Sequence, residues 1–524
     1  MQLVAYGAQD VYLTGNPQIT FWKVTYRRHT NFAMESIEQT FNGQADFGRR
    51  VTCTVSRNGD LAFRTYLQIT LPEIGQSLKN ATEGKVYARW LDFPGEQLIS
   101  QVEVEIGGQR IDRQYGDWMH IWNQLTLSKE QERGYYKMIG NTTQLTYICD
   151  PTFADVDGPC SANGVRQVCA PRNALPETTL YVPLQFWFCR NPGLALPLIA
   201  LQYHEVKINL DIRNIEECLW AVNDITGQGV KVTEAYKQSL AAASLFVDYI
   251  FLDTDERRRM AQNPHEYLIE QLQFTGDESV GSSSNKIKLN LNHPCKELIW
   301  VVQPDANVDY CASLTSNHSL NHLLGAQPFN YTDALDALPN AIHAFGNRGL
   351  VNSGSFITTS SLFEDPFSNK LQSSTGFVAD TTAGFYQGGT TESGVSDAGT
   401  FVLAETAIDM HCWGENPVVV AKLQLNGQDR FSEREGTYFD LVQPYQHHTR
   451  APDTGINVYS FALRPEEHQP SGTCNFSRID NATLQLVLSN STVQGTSTAK
   501  VRVYAVNYNV LRIMSGMGGL AYSN

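Results

Sequence analysis

Histidine and cysteine pairs are the first residues of this sequence to test for chemistry, because metal ligands recur at characteristic spacings. His265 and Glu266 begin like the zinc-binding motif HExxH, but Ile269 stands where the second histidine is required. Two further pairs could each supply ligands: His411-Cys412 and His447-His448. Neither pair belongs to a complete, regularly spaced set, so we expect no metal site.

Loops that bind calcium or phosphate, or that carry a catalytic nucleophile, are the next candidates. Asp155, Asp157 and Gly158 resemble the start of a calcium loop, but the glutamate that closes such a loop is missing. Glycine-rich phosphate loops and the GxSxG nucleophile elbow do not occur in the sequence. We therefore expect no cofactor and no catalytic residue. Acidic residues are plentiful enough for glycoside hydrolysis, which leaves a carbohydrate-active protein open as an alternative.

The charge balance argues against nucleic-acid binding. The chain carries 39 basic and 54 acidic side chains, a net charge of −15, whereas contact with a phosphate backbone needs clustered lysine and arginine. Basic residues do cluster near the N-terminus, at Lys23, Arg27 and Arg28. The most apolar window, residues 184–201, is interrupted by Arg190 and by prolines, so we expect no membrane-spanning helix.

Cysteines and sequons bear on the compartment. The ten cysteines form no dense or regular framework, which favours free thiols and assembly in the cytosol, although Cys160 and Cys169 could pair. Seven Asn-x-Ser/Thr sequons occur, at Asn80, Asn141, Asn317, Asn330, Asn475, Asn481 and Asn490. We treat Asn317 and Asn330 as candidates for carrying a glycan, with chance occurrence as the alternative.

The stretch from Ala243 to Thr275 predicts a strand, a short polar helix and a second strand. Asp253 can cap the helix, and Asn263-Pro264 ends it because proline lacks the amide hydrogen. A chain of 524 residues is too long for one core and suits two domains of about 250 residues. The stretch therefore predicts a junction between two similar halves, with the helix as a stiff spacer that fixes the angle between them.

An internal repeat supports two similar halves. Four matches occur in the same order along the chain: Glu38 with Glu270, Leu67 with Ile299, Gly108 with Gly427, and Val247 with Val506. The segments around them alternate apolar and polar residues, as half-buried strands do. Each repeat then has about eight strands, and an eight-stranded antiparallel unit of two packed sheets is a jelly roll. We expect an all-β chain of two tandem jelly-roll barrels, with short helices in the connections.

The repeat also predicts the boundaries. The predicted segments are an N-terminal arm (1–30), a first jelly roll (31–253), a linker helix (254–264), a second jelly roll (265–512) with a long insertion at about 305–415, and a flexible C-terminal tail (513–524). Extra residues in the first half fall at 128–178 and 214–243. Long insertions between strands are expected to be exposed.

Several motifs resemble one protein family, the major capsid proteins of nucleocytoplasmic large DNA viruses of the algal-virus and giant-virus type. The resemblance is carried by four segments: residues 5–41 (AYGAQDVYLTGNPQITFWKVTYRRHTNFAMESIEQTF), 56–61 (SRNGDL), 246–278 (FVDYIFLDTDERRRMAQNPHEYLIEQLQFTGDE) and 416–450. It spans nearly the whole chain in order. It implies a structural protein without enzymatic activity, located in the virion.

The resemblance further implies how such a chain assembles. Three copies form a pseudo-hexagonal capsomer, and capsomers tile an icosahedral shell assembled in the host cytoplasm. The partners expected from the family are the chain itself, neighbouring capsomers, minor capsid proteins and a nearby internal membrane, with no direct nucleic-acid contact. Lys23, Arg27 and Arg28 would lie at the capsomer base, facing acidic minor proteins or anionic lipid. A β-sandwich carbohydrate-binding protein or glycoside hydrolase is the alternative.

Overall fold

The computed structural model describes residues 4–75, 78, 86–146, 174–223, 230–309, 325–333 and 415–523. Most of the insertion expected at 305–415, and residues 147–173 of the other long insertion, lie outside the described residues. Within these ranges, no helix is long and apolar enough to cross a membrane.

The first half is built mainly of strands. They are β1 (Phe32–Gln39), β2 (Arg50–Thr54), β3 (Leu61–Leu71), β4 (Ile74–Gly75), β5 (Tyr87–Trp90), β6 (Ile99–Ile106), β7 (Gln109–Tyr115), β8 (Ala174–Leu175), β9 (Thr178–Pro183), β10 (Leu196–Pro197), β11 (Val206–Ile212), β12 (Leu219–Val222) and β13 (Ala242–Leu252). Its helices are α1 (Val11–Thr14), α2 (Pro94–Leu98), α3 (Gly116–Thr126), α4 (Lys129–Ile139), α5 (Thr143–Thr146) and α6 (Trp187–Arg190), with 3-10 turns at Ala8–Asp10, Pro192–Leu194, Leu198–Ala200, Ile215–Glu217 and Ala235–Lys237.

The second half follows helix α7 (Thr254–Gln262). Its strands are β14 (His265–Val280), β15 (Ser284–Lys288), β16 (Pro294–Pro304), β17 (Val418–Leu425), β18 (Gln428–Glu435), β19 (Asn457–Ser460), β20 (Cys474–Asn475), β21 (Ala482–Leu488), β22 (Ala499–Met514) and β23 (Met517–Leu520). Its helices are a π-helix (Tyr438–Val442), α8 (Gln443–His447) and α9 (Asn490–Val493), with 3-10 turns at Asp305–Asn307 and Phe476–Arg478.

The sheet topology repeats between the halves. One sheet of the first half has the order β1-β13-β3-β10, with β9 also on β3, and its counterpart runs β14-β22-β16-β19, with β20 on β16. The second large sheet of each half runs β2-β11-β6-β7 and β15-β21-β17-β18, and two small sheets of the first half pair β12 with β5 and β4 with β8. Every pairing is antiparallel, so each half is a two-sheet barrel with the same connections. The all-β class with two tandem jelly rolls is confirmed.

Each barrel has its own apolar core because its strands alternate. Strand β21 shows the pattern most clearly: its buried residues take every second position and enter the second core beside Trp300 and Leu423. Leu67 and Val104 occupy the corresponding core of the first barrel. The hairpins β6–β7 and β17–β18 turn through residues with positive φ, Gly108 at 84° and Gly427 at 81°. These two glycines are equivalent, as the repeat predicts.

The register of two other repeat matches is wrong, although the strands are correctly paired. Leu67 lies in the core of the first barrel, whereas Ile299 lies on the opposite face of β16, in a cluster between the halves. Val247 and Val506 differ in the same way. A slip by one residue exchanges the faces of a strand. The sequence did not reveal the slip because both faces of β16 are buried, so its residues do not alternate.

The C-terminal residues contradict the prediction of a flexible tail. Ser515 and Gly516, at φ 53° and 78°, form a tight turn, after which β23 pairs back onto β22. The hairpin also bonds to the first half. The Tyr203 amide donates to the Gly516 carbonyl at 3.0 Å, and the Leu520 amide donates to Gln109 Oε1 at 3.2 Å. The glycines that suggested flexibility allow a sharp turn and a close approach to the first barrel instead.

Candidate assembly surfaces

The residues considered for metal binding do not converge in the described parts of the chain. Among those residues, no group of three or more His, Cys, Asp or Glu side chains could hold a metal. His448 lies between two carboxylates, 2.8 Å from Glu297 and 2.9 Å from Glu466. Burial lowers the pKa of His448, but the two carboxylates outweigh burial and raise it to about 9. A protonated imidazole cannot ligate a metal, so His448 belongs to a structural ion cluster.

Other chemical candidates are placed as follows. His447 is half-buried, and its Nδ1 lies 3.2 Å from the Leu463 carbonyl oxygen. Outside the described residues lie His411-Cys412, the Asp155–Gly158 loop, Cys160 and Cys169. The cysteines that are described are free thiols: Cys53, Cys189, Cys218, Cys295 and Cys474.

The two halves of the chain meet at an apolar interface. Helix α3 of the first half presents Trp118, Ile121 and Trp122 to the outer face of the β14-β22-β16 sheet. The Trp118 ring lies 5.5 Å from that of Tyr504, which stacks on Phe274 at 4.8 Å. Aromatic pairs at such distances add about 0.5–1.5 kcal/mol each to the burial of their area. The two barrels are therefore packed against each other through an apolar layer.

Ion pairs lie beside this apolar layer. Glu270 of β14 binds Arg190 of the first half at 3.1 Å and Lys296 of its own half at 2.5 Å, with His468 at 3.5 Å. Burial alone would raise the pKa of Glu270, but His468, Arg190 and Lys296 together lower it to about 2. Lys296 is almost fully buried, so Glu270 balances a cation that has no access to water.

Backbone and side chains also join β7 of the first half to β14 of the second. The Leu272 amide donates to Asp112 Oδ1 at 3.2 Å, and Gln271 Nε2 donates to the Ile111 carbonyl at 2.5 Å. Burial raises the pKa of Asp112 to about 7, against the opposing effect of the Leu272 amide, Arg190 and the Arg113 amide. The barrels are therefore joined by these contacts as well as by the linker helix, and a role of the helix in fixing the angle between them stays a prediction.

Helix α7 itself is polar and lies on the surface. The Asp253 side chain caps it by accepting from the Thr254 amide at 2.7 Å, and no residue of the helix is fully buried. Arg257 pairs with Asp60 at 3.1 Å, and Met260 packs on the first barrel. The helix also contacts the second half, because His265 Nε2 of β14 lies 2.7 Å from the Met260 carbonyl oxygen.

The N-terminal arm extends from this body with its apolar side chains uncovered. Among residues 4–31, Tyr12, Ile19, Phe21 and Trp22 are 94%, 91%, 97% and 88% exposed. Lys23, Arg27 and Arg28 are exposed on the same segment, which has no regular secondary structure between α1 and β1. Aromatic side chains so fully exposed indicate a segment that is completed by a partner.

The two candidate glycan sites differ in placement. Asn330 is 3% exposed, and its Nδ2 donates to Gln327 Oε1 at 2.9 Å while its Oδ1 accepts from Thr332 Oγ1 at 2.6 Å. A glycan needs an exposed amide nitrogen, so the burial of Asn330 argues against a glycan at this residue in the folded chain. Asn317 lies outside the described residues.

Comparison with known proteins decides the family. Residues 20–253 match the family described as major capsid protein N-terminus, and residues 256–519 match large eukaryotic DNA virus major capsid protein. The chain is 87% identical to the major capsid protein of Phaeocystis pouchetii virus, over 100% of this chain and 99% of that protein. The chain belongs to the major capsid proteins of large eukaryotic DNA viruses.

Solved structures agree with this membership. The chain is similar to the PBCV-1 Vp54 crystal structure fitted into a reconstruction of the virophage Sputnik, with a TM-score of 0.61, 34% identity, and coverage of 96% of this chain and 100% of that one. The Faustovirus major capsid protein shares the fold at 14% identity and a TM-score of 0.61, over 97% and 94% of the two chains. As a major capsid protein, the chain is a component of the virion capsid.

Sequence reasoning missed the residues that join the halves. Helix α3 carries two tryptophans four residues apart, Trp118 and Trp122, and this spacing could have indicated a surface that packs on a second domain. The polar contacts of Glu270 and Asp112 gave no such signal, because single acidic residues in a strand are usually exposed.

Proposed function

We propose that three copies of this chain form a pseudo-hexagonal capsomer that tiles the icosahedral shell of a large DNA virus, as a structural component without enzymatic activity. The observation that carries the proposal is the topological duplication: two barrels with the same strand order, fixed to each other by a large interface. Three duplicated chains supply the six similar barrels of a hexagonal tile. Capsomers then contact one another in the shell.

The mass of the purified protein tests this proposal. Light scattering on a gel-filtration peak is expected to give three times the 58.5-kDa mass of the chain. A monomer that hydrolyses glycans would contradict it. Assembly in the host cytoplasm is part of the proposal, supported by the free thiols of the described cysteines.

We further propose that the N-terminal arm lies at the capsomer base and contacts minor capsid proteins or the internal membrane. Its exposed aromatic residues and the positive charges of Lys23, Arg27 and Arg28 suit a partner that is both apolar and anionic. Reversing these three charges should weaken association with acidic minor proteins or with vesicles of anionic lipid, and leave the trimer intact.

A matched control uses the same change of charge elsewhere. Lys129, Arg133 and Lys137 on α4 are exposed, and replacing all three by Glu changes the net charge equally. The arm variant should lose association and the α4 variant should retain it. Loss of trimers in the arm variant would instead make the arm an element of the trimer itself.

A further inference from the structure

The interface between the halves has a counterpart on the surface of the second barrel. In the first half, α3 follows β7 and packs Ile121, Trp122 and Leu125 against the second barrel. In the second half, the π-helix and α8 follow β18, the equivalent of β7. These helices are located where α3 is located in the first barrel.

Two pairs of residues fix the alignment of these helices. Gly116 begins α3, and a side chain there would collide with the Ile99 carbonyl at the start of β6. Gly436 follows β18, and a side chain there would collide with the Val418 carbonyl at the start of the equivalent strand β17. Three residues after each glycine, Met119 and Phe439 enter the cores of their own barrels.

This alignment makes Leu441, Val442 and Tyr445 the equivalents of Ile121, Trp122 and Leu125. The first-half residues are between 0% and 5% exposed, because the second barrel covers them. Their second-half equivalents are 54%, 39% and 86% exposed. The same position on the barrel is therefore apolar in both halves but uncovered in the second.

The surface that receives α3 is also duplicated. On the second barrel it is the outer face of the β14-β22-β16 sheet, where Tyr504 stacks on Phe274. On the first barrel the outer face of β13 and β3 carries Phe246 and Tyr66, which stack at 5.2 Å. Tyr181 of β9 extends this face 6.1 Å from Tyr66 and is 40% exposed.

We propose that the helical segment Tyr438–His447 of one copy docks on this aromatic face of a second copy, and that Leu441 and Tyr445 are its anchors. The inference rests on the proposed capsomer and assigns its contact between chains. The contact is head-to-tail, because the helical segment belongs to the second barrel and the aromatic face to the first. Head-to-tail contacts form a closed ring only when the rotation between successive copies completes a full turn after a whole number of copies, which is three in the proposed capsomer. The contact between copies would then resemble the contact of α3 with the second barrel inside each chain, so all six barrels of the capsomer would have equivalent neighbours.

Two variants test the two surfaces separately. The double change Leu441→Asp with Tyr445→Asp places charges on the exposed helical segment, and Tyr181→Asp places one on the aromatic face. Each variant alone is expected to lose trimers in light scattering and to keep the circular dichroism of the wild type. Met138→Asp on α4, 39% exposed like Val442, is the control and should remain trimeric.

Mixing the two variants tests the head-to-tail geometry. The Leu441/Tyr445 variant keeps its aromatic face, and the Tyr181 variant keeps its helical segment, so one intact contact can form in a mixture. We expect heterodimers with one copy of each, detected by native mass spectrometry. Trimers that persist in either folded variant, or a mixture without heterodimers, would overturn the proposed contact. A wild-type chain that is not trimeric would instead overturn the proposed capsomer.

Discussion

The carboxylate of Glu270 in the second barrel accepts a hydrogen bond from the guanidinium of Arg190 in the first, at 3.1 Å. The same guanidinium lies 4.7 Å above the ring of Trp122 on α3. Arg190 thus joins the ion cluster of β14 to the apolar layer between the barrels. The two halves form a single unit through this junction, as a tile of fixed shape requires.

Replacing Glu270 by Gln should destabilise the chain strongly. The change leaves the buried ammonium of Lys296 without its carboxylate, and breaking such a pair costs about 3–5 kcal/mol. Glu266→Gln on the same strand is the control, because its pair with Arg512 is exposed and worth at most about 1 kcal/mol. Denaturant unfolding at constant chain concentration measures both. Equal losses from the two variants would contradict a special role for Glu270.

The pH dependence of the same variant has a definite sign. The pKa of Glu270 is lowered to about 2 in the folded chain from an ordinary value of 4.5. Its contribution to stability is therefore complete above about pH 4.5 and is lost as the pH falls towards 2. The difference between wild type and Glu270→Gln should shrink over that range.

The strands and their duplication could be predicted from the sequence, whereas the interface between halves could not. Alternating strands such as β21 and the turn at Gly427 carry local signals that do not depend on distant contacts. Strand β16 is buried on both faces, by its own core and by α3. Its residues therefore do not alternate between apolar and polar, and the sequence does not show which face points into the core. The tail was mispredicted because its glycines permit a tight turn as readily as flexibility.

Replacing His448 by Gln should destabilise the chain most at neutral and mildly acidic pH. The pKa of His448 is raised from 6.5 to about 9, so its contribution is complete below about pH 6.5 and is lost as the pH rises through 9. At pH 6 the variant leaves the fully buried Glu297 without its cation, at a cost of about 3–5 kcal/mol. Unfolding free energies at pH 6 and pH 10 check this. A loss of the same size at both values would show that the ring acts by packing alone.

Replacing Asp112 by Asn should have the opposite outcome, a gain in stability at high pH. Burial raises the pKa of Asp112 from 3.8 to about 7, so folding favours its protonated form. The wild type therefore loses stability as the pH rises from about 4 to about 7, by up to about 1.4 kcal/mol per pH unit. The Asn variant lacks this loss and should be the more stable chain at pH 8. A stability difference independent of pH would contradict the assignment.

Trp122 should matter more for the arrangement of the barrels than the exposed face of α7. Trp122→Ala removes a buried ring from the interface and is expected to cost about 3–5 kcal/mol. Arg258→Gly places glycine in an exposed helix and should cost about 1 kcal/mol. Small-angle scattering and proteolysis at residues 254–264 should detect loosened barrels in the first variant only. If only the Arg258→Gly variant were loosened, the linker helix and not the interface would fix the angle between the barrels.

The most direct test of the central claim is the shape of the purified protein in negative-stain electron microscopy. The proposed capsomer should give uniform particles with a pseudo-hexagonal outline and threefold symmetry, each made of six barrels from three chains. Isolated two-lobed particles of a single, folded chain would contradict it.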